Sequence, residues 1–168
     1  MKFIRALPVL PVVALLVTVL ASSASAGELP APTTPGRVEA GSADVVNTFR
    51  NLATGGCLDD SAKSGLRTFG CNKYDYQRWN AHPRNGYVQL RNLATGRCLD
   101  DSKKFGIRAV KPCWPDGNAN AVFQNWKVLR TGKLIQFRNQ STGLCLADIG
   151  GGKLRTEPCS AATNQKWS

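Results

Sequence analysis

From residue 45 onward, apolar residues alternate with polar ones or come in runs of two or three. Thr-Gly, Asp-Asp, Gly or Pro breaks the pattern about every 8–12 residues. No stretch there sustains a period of 3.6, so the pattern predicts short strands and turns rather than helices. The first 26 residues are different. Lys2 and Arg5 precede an apolar run over 9–20, and Ala24-Ser25-Ala26 supplies the small-x-small step of a cleavage site. Residues 1–26 therefore read as a secretory signal peptide. A membrane anchor is the rival reading, but the run is shorter than the roughly 20 apolar residues of a span, and Pro8 and Pro11 interrupt its start. Residues 27–44 hold Pro30, Pro32 and Pro35 and no large apolar cluster. Such a segment cannot bury enough surface to offset its ordering entropy, so it reads as a disordered linker. About 120 residues remain, enough for one domain with one core.

Those residues repeat. Phe49-Arg50-Asn51-Leu52-Ala53-Thr54-Gly55-Gly56-Cys57-Leu58-Asp59-Asp60 returns as Leu90-Arg91-Asn92-Leu93-Ala94-Thr95-Gly96-Arg97-Cys98-Leu99-Asp100-Asp101. It returns again as Phe137-Arg138-Asn139-Gln140-Ser141-Thr142-Gly143-Leu144-Cys145-Leu146-Ala147-Asp148. Each copy continues through a step ending in Arg67, Arg108 or Arg155 to a second cysteine, Cys71, Cys113 or Cys159. Each closes on Gln-x-Trp: Gln77-Arg78-Trp79, Gln124-Asn125-Trp126 and Gln165-Lys166-Trp167. A unit of about 40 residues cannot bury its own apolar face, so the units must share a core. Three units around a pseudo-threefold axis, each giving about four strands, satisfy that requirement. The three tryptophans and Leu58, Leu99 and Leu146 are the predicted core. A propeller is the rival, but three blades do not close and no WD-type signature occurs.

Cys-Leu-Asp in the first two copies and Cys-Leu-Ala in the third, each with a second cysteine and a closing Gln-x-Trp, resemble the ricin B-type lectin domain. The resemblance covers residues 45–168. It implies an all-β fold, a single β-trefoil with repeats at about 45–85, 86–132 and 133–168. Six cysteines behind a signal peptide read as disulfides. Of the 15 pairings that six cysteines allow, threefold equivalence selects Cys57–Cys71, Cys98–Cys113 and Cys145–Cys159. The absence of a CxxC pair argues against a metal site, and no cofactor is expected.

Charge narrows the partners. The chain carries net +11; without Lys2 and Arg5, 20 basic residues face 11 acidic ones, or +9. That balance favours anionic partners or serves solubility. No nucleic-acid motif is present, and secretion makes nucleic acid an unexpected partner. The single histidine, His82, falls in His82-Pro83-Arg84-Asn85-Gly86, which reads as a hairpin turn. With no second histidine and no free thiol, no nucleophilic triad can assemble. Asp59-Asp60 and Asp100-Asp101 are neighbours on a strand and point to opposite faces, which disfavours a glycosidase pair. No enzymatic activity is expected.

The resemblance implies carbohydrate binding, in a shallow pocket on each unit. An aspartate two residues after the first cysteine accepts sugar hydroxyls, an aromatic two residues before the second cysteine stacks on the ring, and an asparagine before Gln-x-Trp completes the grip. In the first unit Asp59 and Phe69 match, Gln77 braces the loop, and Tyr76 replaces the asparagine. In the second, Asp100 and Gln124 match, the aromatic position falls on Lys111 or Val110, and Phe123 replaces the asparagine. Trp114, next to Cys113, can bring a ring from another direction. In the third, Asn164 matches, but Ala147 and Glu157 replace the aspartate and the aromatic. The first unit keeps two of the three contacts and the others one each. The second acid, Asp60, Asp101 or Asp148, occurs in every copy and reads as a fold residue. Two recurrent basic sets, Arg50, Arg91 and Arg138, and Arg67, Arg108 and Arg155, read as solvated strand positions or, alternatively, as an anion-binding surface. The leading expectation is a secreted, extracellular, monomeric lectin-like protein whose glycan is neutral or anionic. The alternative is a protein-binding trefoil, such as a protease inhibitor or a toxin's targeting subunit, using the insert after Trp114.

Overall fold

The computed structural model describes residues 45–168. The expected leader (1–26) and linker (27–44) lie outside the described residues. Eleven strands follow among those described: β1 (Val45–Asn47), β2 (Cys57–Ser61), β3 (Gly65–Phe69), β4 (Trp79–Arg84), β5 (Tyr87–Asn92), β6 (Cys98–Ser102), β7 (Gly106–Val110), β8 (Trp126–Thr131), β9 (Leu134–Asn139), β10 (Cys145–Asp148) and β11 (Leu154–Glu157). Each Gln-x-Trp glutamine ends a short 3-10 turn or follows it directly.

The segment that begins at the first cysteine of every unit forms the first strand of a hairpin. β2 pairs with β3, β6 with β7 and β10 with β11, all antiparallel. Cys57 sits opposite Phe69, Cys98 opposite Val110 and Cys145 opposite Glu157. This register places Val110, not Lys111, at the position of Phe69. The disulfides are Cys57–Cys71, Cys98–Cys113 and Cys145–Cys159, each inside its unit. Cross-links of this loop length are worth roughly 3 kcal/mol each in the chain-entropy estimate.

A second kind of hairpin joins successive units: β4 with β5, and β8 with β9. The turn between β4 and β5 is only Asn85-Gly86, both at positive φ (32° and 82°). Asn-Gly favours a two-residue turn of this kind, whose twist matches the strands. His82 and Pro83 are therefore not in the turn but on β4, where His82 is exposed and faces Gln89.

Alternation sends Leu58 and Asp60 to one face of β2 and Asp59 to the other. The shared core has three members from each unit: Phe49, Leu58 and Trp79; Leu90, Leu99 and Trp126; Phe137, Leu146 and Trp167. Phe49 and Phe137 meet edge to face, with centroids 4.9 Å apart. The tryptophan bodies are fully buried, so each indole N–H needs an acceptor. It finds the carbonyl of the leucine after the first cysteine: Trp79 to Leu58 at 2.9 Å, Trp126 to Leu99 at 3.0 Å, Trp167 to Leu146 at 3.3 Å.

The second aspartates close the ring of units. Asp60, Asp101 and Asp148 are buried. Thr95 donates its hydroxyl to Asp60 at 2.5 Å, Thr142 to Asp101 at 2.6 Å, and Thr54 to Asp148. Each threonine belongs to the next unit in the cycle. The recurrent asparagines clasp the same boundaries: Asn92 donates to the Tyr76 carbonyl, Asn139 to that of Phe123 and Asn51 to that of Asn164, at 2.7–2.8 Å. Arg50 and Arg138 are not simply solvated; their Nε atoms hold the turn carbonyls of Gly55 and Gly143.

The clasp at Asp60 has a further partner. Arg97 adds a two-point ion pair to Asp60, with Nη2 2.6 Å and Nε 2.9 Å from its oxygens. The equivalent residues are Gly56 and Leu144. Thr142→Val should then cost about 1–3 kcal/mol, the penalty for depriving a buried acceptor of its donor. Thr95→Val should cost less, because Arg97 still serves Asp60. Urea unfolding midpoints at unchanged m-value check this ordering.

Candidate functional site

Hairpin register decides what lies beside each candidate ligand. Asp59 sits opposite Arg67, Asp100 opposite Arg108 and Ala147 opposite Arg155. Cross-strand neighbours of opposite charge attract. Arg67 donates to Asp59 Oδ1 at 3.0 Å and Arg108 to Asp100 Oδ1 at 2.9 Å. Gln77 and Gln124 donate to the other oxygens, at 3.3 and 3.5 Å. Arg67 and Arg108 are thus paired within the protein, where the sequence suggested solvated positions or an anion-binding surface.

In the first unit Asp59 is 2% exposed and Arg67 covers it. The same guanidinium lies 4.3 Å from the centroid of Phe69. Phe69 is 51% exposed and Tyr76 is also exposed. Phe69 lines a groove with Thr68, Asp148 and the glycine run 150–152, at the boundary with the third unit. The first unit therefore offers two exposed rings and a covered carboxylate.

The second unit opens a cleft of about 550 Å³. Asp100, Arg108 and Val110 contribute from the hairpin, Phe105 from its turn, and Trp114 and Phe123 from the insert. Phe105, 58% exposed, carries Arg108 at 4.3 Å and Lys104 at 4.9 Å from its centroid. It stands in the turn where the first unit has Ser64. The ring lost at Val110 is thus replaced from the turn, which the sequence reading missed. The presence of Phe105 beside the Gly106 step was the available signal.

Trp114 is held at both ends of its backbone. Its N–H donates to Gln124 Oε1 at 2.8 Å. Its carbonyl accepts from Arg84 Nη2 at 2.7 Å and from Gln89 Nε2 at 3.2 Å. Arg84 is buried, also donates to Gln89, and pairs through Nε with the exposed Asp116 at 3.3 Å. Burial pulls the Arg84 guanidinium below the usual arginine range, and Asp116 partly offsets this. Gln77 and Gln124 are fully buried. They act through the groups they hold: the carboxylates, the Gly70 and Pro112 carbonyls, and the N–H groups of Asn72 and Trp114.

The third unit has no carboxylate opposite Arg155, and Arg155 pairs instead with Glu157. Asn164 donates to Glu157 at 3.4 Å. Burial alone pushes the Glu157 carboxyl up, but hydrogen bonds from Arg155, Gln165 and Asn164, together with the Arg155 charge, hold it below the usual glutamate range. Asn164 is thereby tied to an acid rather than to an aspartate of its own hairpin.

Residues 45–167 match the family profile of the ricin-type beta-trefoil lectin domain. Among solved structures, a GlcNAcα1-4Gal releasing endo-β-galactosidase from Clostridium perfringens superposes with a TM-score of 0.63 at 18% identity, over 73% of this chain and 31% of that one. The chain thus spans about a third of that enzyme. ThreeFoil, a designed 3-fold symmetric protein, gives 0.61 at 18% identity over 73% of this chain and 95% of its own. SeviL bound to asialo-GM1 saccharide gives 0.59 at 15% identity over 74% and 95%. At these identities the likeness is one of fold. Comparison with curated protein sequences finds no match.

A depressed acid stabilises the fold above its ordinary pKa, and that contribution disappears as pH falls through the lowered value. Glu157→Gln should therefore be less stable than the parent at neutral pH, with the difference shrinking on acidification. Denaturant midpoints from neutrality to about pH 3 measure it; a difference independent of pH would contradict the assignment.

Proposed function

The chain belongs to the ricin-type beta-trefoil lectin family, and on that premise we propose that it is a secreted, monomeric, non-catalytic glycan-binding protein whose principal site is the second-unit cleft. The carrying observation is the cleft itself, with its aromatic walls and Asp100 at its side. A pyranose needs an apolar face to stack on and polar groups to fix its hydroxyls. Trp114, Phe105 and Phe123 supply the first. Asp100, as buried as Asp59, holds the partly exposed guanidinium of Arg108, which donates to hydroxyls. Backbone restraint of Trp114 supports the assignment, because a residue whose backbone is fixed before binding has only its side chain left to order.

Sequence reasoning favoured the first unit because Asp59 and Phe69 both fit the family pattern. Asp59 and Asp100 are equally covered, at 2% and 1% exposure, each by the arginine across the strand; what moves the preference is the second-unit cleft with its three rings. Phe69 and Tyr76 then form an auxiliary stacking surface, and the third unit, with Ala147 and Glu157, contributes little. Membership of the lectin family supports a binding rather than catalytic role.

A glycan array with wild type, Trp114→Ala and Asp59→Ala tests the reading. Trp114→Ala should weaken binding by about tenfold or more, as loss of a central aromatic anchor does, while Asp59→Ala keeps most of it. Undiminished binding by Trp114→Ala would remove the second-unit cleft from consideration.

A further inference from the structure

Most arginines in this basic chain are already committed. Arg67, Arg108 and Arg155 pair with acids in their own hairpins, Arg97 with Asp60, and Arg84 with Asp116. Arg50 and Arg138 hold turn carbonyls. The charge left to act on a ligand is therefore mainly lysine.

Three lysines gather on the second-unit cleft: Lys103, Lys104 and Lys111. All are exposed, and among the described residues none pairs with a carboxylate. The first unit has Ala62, Lys63 and Gly70 at the equivalent positions. Two of the three lysines are thus particular to the unit that has the cleft. Asp100 is the one acid lining it, and Arg108 neutralises Asp100 at 2.9 Å. The cleft as a whole is cationic, with rings in its walls.

We infer that the ligand of this cleft is an acidic glycan, bearing a carboxylate or sulfate on the sugar that stacks there. The inference rests on the second-unit reading above and names its substrate class. A neutral sugar leaves the three ammonium groups solvated and gains nothing from them. An anionic substituent forms charge-assisted hydrogen bonds, which are about twice as strong as neutral ones. Partial enclosure concentrates the field of the lysines. Rings and lysines also suit a single-stranded nucleic acid, but membership of the lectin family favours a glycan.

Calorimetry on the chain without residues 1–26, at about 0.15 M salt where the screening length is near 8 Å, tests this. The probes are an oligogalacturonate and its full methyl ester, a heparin hexasaccharide and its desulfated form, and a single-stranded oligonucleotide. At least one acidic glycan should bind about tenfold or more tighter than its neutral counterpart; which one does so distinguishes carboxylate from sulfate. Lys104→Gln with Lys111→Gln should abolish that preference, so that acidic and neutral forms bind alike. The charge-matched control Lys133→Gln with Lys153→Gln should retain it. Equal binding of acidic and neutral forms, still dependent on Trp114, overturns the inference and leaves the lectin reading standing. Equal loss in the control pair overturns it in favour of general charge. Tighter binding of the oligonucleotide overturns it in favour of nucleic acid. Failure of every glycan to bind, by a folded protein, removes the lectin reading itself.

Discussion

A buried carboxylate recurs at the same place in each unit, and the side-chain hydroxyl that satisfies it belongs to the next unit. Asp60 takes Thr95, Asp101 takes Thr142 and Asp148 takes Thr54. An ionised group without donors is costly to bury, so no unit can settle in its native form alone. The core imposes the same condition, because three large apolar side chains per unit stay dry only when three units meet. Hydrogen bonding and packing therefore specify one closed arrangement together, as expected of a sequence whose levels agree.

What this closure demands was legible in the sequence because it is written three times. Cysteines, Gln-x-Trp tryptophans and second aspartates stand at equivalent positions in every copy, and each has a partner fixed by the threefold arrangement. The Arg67 and Arg108 pairings were legible in principle as well. They follow from hairpin register once Ser61 is placed opposite Gly65, and Ser102 opposite Gly106. Phe49, Leu90 and Phe137 in the core were written in triplicate too, but were not singled out.

The site was much less legible, because it depends on what differs between copies. An insertion before Cys113 left Lys111 and Val110 as alternatives until strand pairing decided. Phe105 comes from a turn, where family patterns place no contact. Trp114 is held by Arg84, thirty residues earlier on β4, and no local pattern shows that link. Asp59 and Asp100 both fit the motif in type and position, yet the arginine opposite each covers its carboxylate. A motif gives residue identity; accessibility depends on the neighbour across the strand.

The same division governs charge. Arginines, with planar multi-donor heads, are used within the fold. Lysines remain outside, where one cleft collects three of them beside its rings. The central claim is that fold residues are shared by all units while one unit carries the ligand. The four tryptophans of the chain report on both halves, since Trp79, Trp126 and Trp167 are fully buried in the core and Trp114 lines the cleft. Titrating the ¹⁵N-labelled protein with a bound oligosaccharide and following its four indole N–H resonances is the most direct test. The account predicts that the Trp114 signal moves with saturation while the three core signals stay in place. Binding that leaves Trp114 unmoved would contradict it.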